Sequence, residues 1–260
     1  MQDVILKDNV HRASIIDAHT WNISEADLCN CYLLEGEDHA LLIDIGCGAG
    51  DLRKCVKQLT KKSLSVAVTH RHPDHVGGCG QFGFYYAHKD DCTKLYDMMC
   101  LPMFRMKMIP ENLVYNPSSN KKTEVYRMKE DMEFDLGGRT IRTEHIPGHT
   151  KGSVMFIDDA NRYIFTGDDV NPVLWMHLPG CTSLKTWLAG AERVLYYLNE
   201  GYQAFYGHGD GIQTKEQVET TIRLVKQIIE ETENGRKIKD GCLCDGDSDI
   251  RVLFSPKRIQ

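Results

Sequence analysis

The segment Thr69-His70-Arg71-His72-Pro73-Asp74-His75-Val76-Gly77-Gly78 sets three imidazoles and a carboxylate within six residues. Imidazole nitrogen suits zinc, and a carboxylate adds a hard oxygen and a negative charge. In an extended loop alternate side chains face the same way, so His70 and His72 can hold one cation while Asp74 and His75 face a second. Pro73 stiffens the loop, and Gly77 and Gly78 let backbone pass close beneath it. Three later loops each follow an expected strand and each bring one donor: His149 in Ile146-Pro147-Gly148-His149-Thr150, Asp168 in Phe165-Thr166-Gly167-Asp168-Asp169, and His208 in Tyr206-Gly207-His208-Gly209. Glycine precedes each donor, so backbone can crowd the cations without a Cβ clash. One Gly-His pair carries no signal. A histidine-rich surface loop explains the first segment alone, whereas a two-cation site explains all four.

These loops need strands to hold them. Cys29 to Glu35 is β-rich, Gly36-Glu37-Asp38 has turn chemistry, and Ala40 to Ile45 is a nearly continuous apolar run, so the pair reads as a hairpin with a buried second strand. Gly46, Gly48 and Gly50 precede a helix over 51–60, with Leu52, Cys55, Val56 and Leu59 on one stripe. Strands follow at 64–69 and 83–87, and a helix starts near Asp90. Met98, Met99, Met103, Met106 and Met108 then lie among Pro102, Pro110 and Pro117, so residues 98–120 read as an irregular Met-rich insertion, which either covers a substrate or packs on its own domain. Strands return at 124–127, 132–136, 139–146, 153–157, 163–166, 204–206 and 250–254, with Gly137-Gly138 as a hairpin turn. Helices are expected at 183–198, capped by Ser183, and at 215–232. The strands fall into two similar halves broken near the insertion. That pattern is an α/β chain with two sheets between outer helices, in one domain spanning 1–260.

With 260 residues, 42% apolar and 26% charged, the chain can bury a sizeable core. A net charge of −6 and a pI near 6.0 argue against a surface built for nucleic acid phosphates or anionic lipid. No apolar run reaches the roughly 18 residues of a membrane span. The N-terminus lacks the basic region and apolar core of a signal peptide. Ten cysteines in a chain this long, without an export signal, read as reduced and mostly buried thiols. Neither Cys29/Cys31 nor Cys242/Cys244 has the spacing of a zinc knuckle. The expectation is a soluble, cytoplasmic protein with a small-molecule substrate and no nucleic acid or membrane partner. Exposed aromatics in the insertion leave a dimer contact open.

The chain resembles the metallo-β-lactamase-fold hydrolases, the superfamily that includes the glyoxalase II thioesterases. It carries H-x-H-x-D-H at His70, His72, Asp74 and His75, then the later motifs at His149, Asp168 and His208, and an early Asp at Asp44. The similarity spans roughly residues 29–210. It implies the four-layer αβ/βα sandwich, two mixed sheets between outer helices, with two Zn(2+) at one edge. His70, His72 and His149 would bind the first zinc, and Asp74, His75 and His208 the second, with Asp168 bridging. A hydroxide held between two cations would attack the substrate at neutral pH, with Asp74 orienting it or passing its proton on. Asp44 would hold the ligand loop by hydrogen bonds.

Asp168 and its surroundings do not match the cysteine-ligand β-lactamases. Asp169-Val170-Asn171-Pro172 lacks the tyrosine of acyl-homoserine lactonases, and the tail after His208 is short for a glutathione-binding glyoxalase II. The acidic chain is a poor match to the RNA-processing relatives. The expected activity is hydrolysis of a small ester, thioester, lactone or related bond. The alternative is an iron-dependent oxidoreductase resembling persulfide dioxygenases. Trp175 and His177 are candidate substrate contacts in a loop over 173–181. His88 and His145 read as structural, and His11, His19 and His39 as solvated.

Overall fold

The computed structural model describes residues 3–5, 10–99, 101, 109–129, 131–235, 241–246 and 248–259. Eight strands form the first sheet in chain order: β1 (Asp3–Ile5), β2 (His11–Asp17), β3 (Thr20–Glu25), β4 (Cys29–Glu35), β5 (His39–Ile43), β6 (Ser63–Ala67), β7 (Phe84–His88) and β8 (Glu124–Met128). Neighbours are antiparallel up to β5 and parallel from β5 to β8. The second sheet contains β9 (Glu133–Asp135), β10 (Thr140–His145), β11 (Val154–Asp158), β12 (Tyr163–Gly167), β14 (Gln203–Tyr206) and β15 (Ile212–Gln213).

Alternation along the strands dictates the layering. On β4, Cys31 and Leu33 point to the helix side while Tyr32 and Leu34 point between the sheets; on β5, Ala40 and Leu42 take the first role and Leu41 and Ile43 the second. On β11, Met155 and Ile157 face the other helix layer, and Val154 and Phe156 meet the first sheet. Such strands are apolar on both faces because both faces are covered. The first outer layer includes α1 (Leu52–Leu59), packed through Leu52, Cys55 and Val56. Two helices cover the second sheet, α4 (Leu184–Asn199) and α5 (Lys215–Glu233), after the shorter α2 (Pro73–Val76) and α3 (Lys94–Met99). Ser183 caps α4 by accepting from the Thr186 N–H, and Thr214 and Gln217 form a capping box on α5. The architecture is the expected αβ/βα sandwich.

Three details differ from expectation. Residues 173–181 are not loop throughout: Val173–Met176 is β13, which pairs in parallel with β17 (Arg251–Phe254), itself flanked by β16 (Cys242–Cys244), so a third, small sheet exists. The break between halves falls after β8, because the strand beyond the insertion still joins the first sheet. His11 is buried against Glu25 rather than solvated, because its side chain lies on the face of the sheet it shares with Glu25. Within the insertion the described parts are short, α3 ending at Met99 and a 3-10 turn over Pro117–Asn120; Met103, Met106 and Met108 lie outside the described residues.

A buried ion pair links the two sheets at one edge. Gly137 and Gly138 turn the chain at positive φ, and Arg139 then donates to Asp158 Oδ2 at 2.9 and 2.6 Å in its own sheet. The same guanidinium donates to the His19 and Glu35 carbonyls of the first sheet at 3.0 and 3.1 Å. Asp158→Ala is expected to lower unfolding stability by about 3–5 kcal/mol, because it strands a buried cation. Urea denaturation at constant metal loading measures it, and a change within error would contradict the linkage.

Candidate metal centre

Four loops at strand ends meet in one place. β6 delivers His70 and His72; there the extended backbone stops, because Pro73 opens α2 and His72 sits at its cap, so Asp74 and His75 project from a helical turn instead of an extended loop. His149 follows β10, Asp168 follows β12 and His208 follows β14. His70, His72 and His149 form one cluster, and Asp74, His75, Asp168 and His208 a second; within each, the possible ligand atoms lie within 4.8 Å of one another.

In the first cluster His72 Nδ1 lies 3.1 Å from His70 Nε2 and 2.8 Å from His149 Nε2. In the second, Asp168 Oδ2 lies 3.0 Å from His208 Nε2 and 3.7 Å from His149 Nε2, so one carboxylate oxygen reaches both clusters. Asp168 Oδ1 is 3.5 Å from His75 Nε2, and Asp74 Oδ2 is 3.6 Å from His208 Nε2 and 3.8 Å from His75 Nε2. The fit to cations can be tested here. His75 Nε2 and Asp168 Oδ1 face each other, buried and without a hydrogen-bond partner among the described residues, a costly arrangement unless something between them binds both. The donors match a pair of divalent cations in type and in crowding.

The outward nitrogens support that reading. His149 Nδ1 is 2.9 Å from the Trp175 carbonyl, His208 Nδ1 is 2.6 Å from the Leu28 carbonyl, and His70 Nδ1 is 3.1 Å from Thr69 Oγ1. His75 Nδ1 lies 2.8 Å from Asp44 Oδ2. Four rings are thereby turned with Nε2 inward, the orientation metal-binding imidazoles take when the other nitrogen is held. Asp44, at a left-handed φ of 62°, also accepts from the Thr69 N–H at 2.7 Å, so it ties the start of the His loop to His75. At Gly207 a Cβ would lie 2.5 Å from Asp168 Oδ1 and 2.6 Å from the His75 ring, so only glycine lets β14 end here.

Burial, with the neighbouring imidazoles, holds His70 and His72 well below the ordinary histidine range, and burial lowers His149 as well. These three rings are neutral donors. Burial also disfavours charge on His75 and His208, but the Asp168 carboxylate outweighs it, with Asp44 and Asp74 helping His75, and His208 is raised to about 9. Burial likewise works against ionised Asp168, yet His208 and His75 keep its carboxyl well below the usual range. Asp169 is pushed up to about 8 by burial, although it accepts the His149 N–H at 2.9 Å.

A cavity of about 600 Å³ opens onto both clusters, and His72, Asp74, His149, Asp168 and His208 line it. Its remaining wall includes Leu28, Met99, Val173, Trp175 and Leu178. Trp175 is therefore at the cavity, whereas His177 is exposed beside the Trp175 ring and outside the lining. His88 and His145 stack on each other at 4.1 Å, away from the cavity lining. Two residues escape sequence reasoning. Asp91 holds the Arg71 N–H, the Thr150 hydroxyl and the Gly152 N–H behind the His loops, and no motif marks it. Asp169 holds the His149 N–H, and its place beside Asp168 in the Gly-Asp-Asp run is the one signal that could have found it.

Residues 25–180 match the Metallo-beta-lactamase superfamily. An uncharacterized protein of Mycobacterium tuberculosis is 32% identical over 155 residues, covering 54% of this chain and 67% of its own. A human acyl-coenzyme A thioesterase is 22% identical over 196 residues, covering 66% of this chain and 69% of its own. A protein solved in a di-iron-bound form superposes with a TM-score of 0.56 at 26% identity, covering 73% of this chain and 91% of its own. With its layers, its strand-end donors and a family match over more than half its length, the chain belongs to the metallo-beta-lactamase superfamily.

Proposed function

We propose that this hydrolase cleaves the thioester of a small or medium acyl group, using two zinc ions. The observation that carries the reading is the largely apolar cavity opening directly onto the His/Asp clusters, which suits an acyl chain with its carbonyl at the donors. The similarity to an acyl-coenzyme A thioesterase supports the thioester over other esters and lactones.

His70, His72 and His149 would hold one ion, Asp74, His75 and His208 the other, and Asp168 would bridge. Such a pair supplies a nucleophile from water near neutral pH and polarises the carbonyl. The chain's own groups do the rest. Leu28, Val173, Trp175 and Leu178 take up the acyl chain and exclude water from around it. Asp74, part-exposed at the cavity, accepts the proton of the attacking water and returns it to the departing sulfur as the carbon–sulfur bond breaks. The products are a carboxylic acid and a free thiol. A second reading, iron in the same cage and oxygen chemistry, has the di-iron-bound relative in its favour.

On a panel of acyl thioesters, esters, lactones, β-lactams and phosphodiesters, the thioesters should turn over fastest, read as free thiol released. A preference for any other class overturns the substrate assignment. About two zinc per chain at the His/Asp centre supports hydrolysis, and iron with oxygen consumption supports the second reading. His72→Ala and Asp168→Ala should each lose metal from this centre and activity together; full turnover in either would refute the assignment of ligands. Asp44→Ala should weaken zinc binding about 10–100-fold by releasing the His75 ring, as measured by competition with a chromogenic chelator. Unchanged affinity would mean that Asp44 only shapes the turn.

A further inference from the structure

A second set of metal-type donors lies away from the His/Asp centre, and the sheet register creates it. His11 on β2 stands directly opposite Glu25 on β3, and Glu25 directly opposite Cys29 on β4. Directly opposed residues share one face of a sheet, so three strands bring an imidazole, a carboxylate and a thiol side by side. Cys47 arrives from the loop after β5. That loop passes so near that a Cβ at Gly46, which has φ +65°, would lie 2.1 Å from Glu25 Oε2. The cluster is dry: Glu25 is 0% exposed, Cys29 1%, Cys47 3% and His11 4%.

The separations of the two thiols and the carboxylate fit a coordination shell. Cys29 Sγ and Cys47 Sγ are 3.7 Å apart, and a tetrahedral zinc with bonds of about 2.3 Å to sulfur sets its two sulfurs about 3.7–3.8 Å apart. His11 Nε2 lies 3.4 Å from Glu25 Oε2 and so faces the carboxylate from β2. The ligand atoms of Glu25, Cys29 and Cys47 all lie within 4.8 Å of one another. Glu25 Oε1 accepts the Cys47 and Ala49 N–H groups at 3.1 and 3.0 Å, which aims the carboxylate. Its Oε2 is buried and meets no hydrogen-bond partner among the described residues.

We propose that Glu25, Cys29 and Cys47 form a buried structural site for a thiophilic divalent cation, zinc by its donor set, with His11 packed against the carboxylate. The site is buried and apart from the cavity lining, so a bound ion stabilises without reacting. The cysteines bind as thiolates and their protons pass to solvent. The site ties β3 and β4 to the loop that runs beneath the catalytic donors, with His11 of β2 against its carboxylate. Cys29 adjoins Leu28, whose carbonyl meets His208, and a Cβ at Gly77, just past the His motif, would lie 2.1 Å from the Cys47 carbonyl oxygen.

Cobalt(II) exchanged into the reduced, full-length protein tests this. Thiolate bound to cobalt absorbs strongly in the near ultraviolet, and the His/Asp centre contains no sulfur, so that band reads the new site whatever the hydrolysis assays return. The unsubstituted protein should show the band, Cys242→Ser/Cys244→Ser should keep it, and Cys29→Ser and Cys47→Ser should each lose it or most of it. Absence of the band from the unsubstituted protein, its survival in both single variants, or its loss with Cys242 and Cys244 overturns the proposal. The decisive reading needs no substitution, so a variant that fails to fold leaves the test intact.

Discussion

Polar donors crowded into a dry space are costly unless each is held and compensated, and the His/Asp centre depends on how that is done. Five imidazoles and two carboxylates converge there. Outside them stands a ring of fixed acceptors: the carbonyls of Leu28 and Trp175, the Thr69 hydroxyl and the Asp44 carboxylate. Each acceptor belongs to a different piece of backbone, so the orientation of the donors is a property of the packed sandwich and not of any one loop. Behind this ring lies another, in which Asp91 and Asp169 gather backbone N–H groups of the His loops.

The two sheets supply the stiffness this requires. Their facing layer is built from large side chains such as Tyr32, Phe156, Phe165 and Phe205, with Phe165 and Phe205 stacked at 5.4 Å. Phe165 and Phe205 sit three residues before Asp168 and His208, respectively. Packing in the core thus runs almost directly into the donors, and a shift in the sheets would be felt at the site within a few residues. The electrostatics divide between the clusters. His70, His72 and His149 are neutral by burial, whereas carboxylates favour a proton on His75 and His208. A cation would therefore meet neutral rings in the first cluster and would displace protons from His75 and His208 in the second.

Much of this was legible in the residues because the signals are local. The β-rich run Cys29–Glu35 and the apolar run after His39 mark a hairpin whose second strand is buried on both faces, and Ser183 marks the start of a helix. The donors announce themselves through histidine spacing and through the glycine before each of His149, Asp168 and His208. What escaped depends on partners far along the chain. Val173–Met176 is a strand only because Arg251–Phe254 lies beside it. His11 is buried on the face where its neighbour on β3 is Glu25, and nothing within a few residues of His11 says so. The carbonyls that orient His149 and His208 are backbone atoms, which leave no mark on residue type.

The small third sheet has a consequence for how the cavity changes over evolutionary time. Trp175 sits at the cavity on a strand whose register is set by Leu253, from a segment beyond residues 25–180 where the family match ends. Replacements in that remote ribbon that slide the strand would move both the indole and the Trp175 carbonyl that holds His149 Nδ1. Only changes that tilt the indole while leaving that carbonyl in place can alter the shape of the guest accepted without reaching the reaction itself.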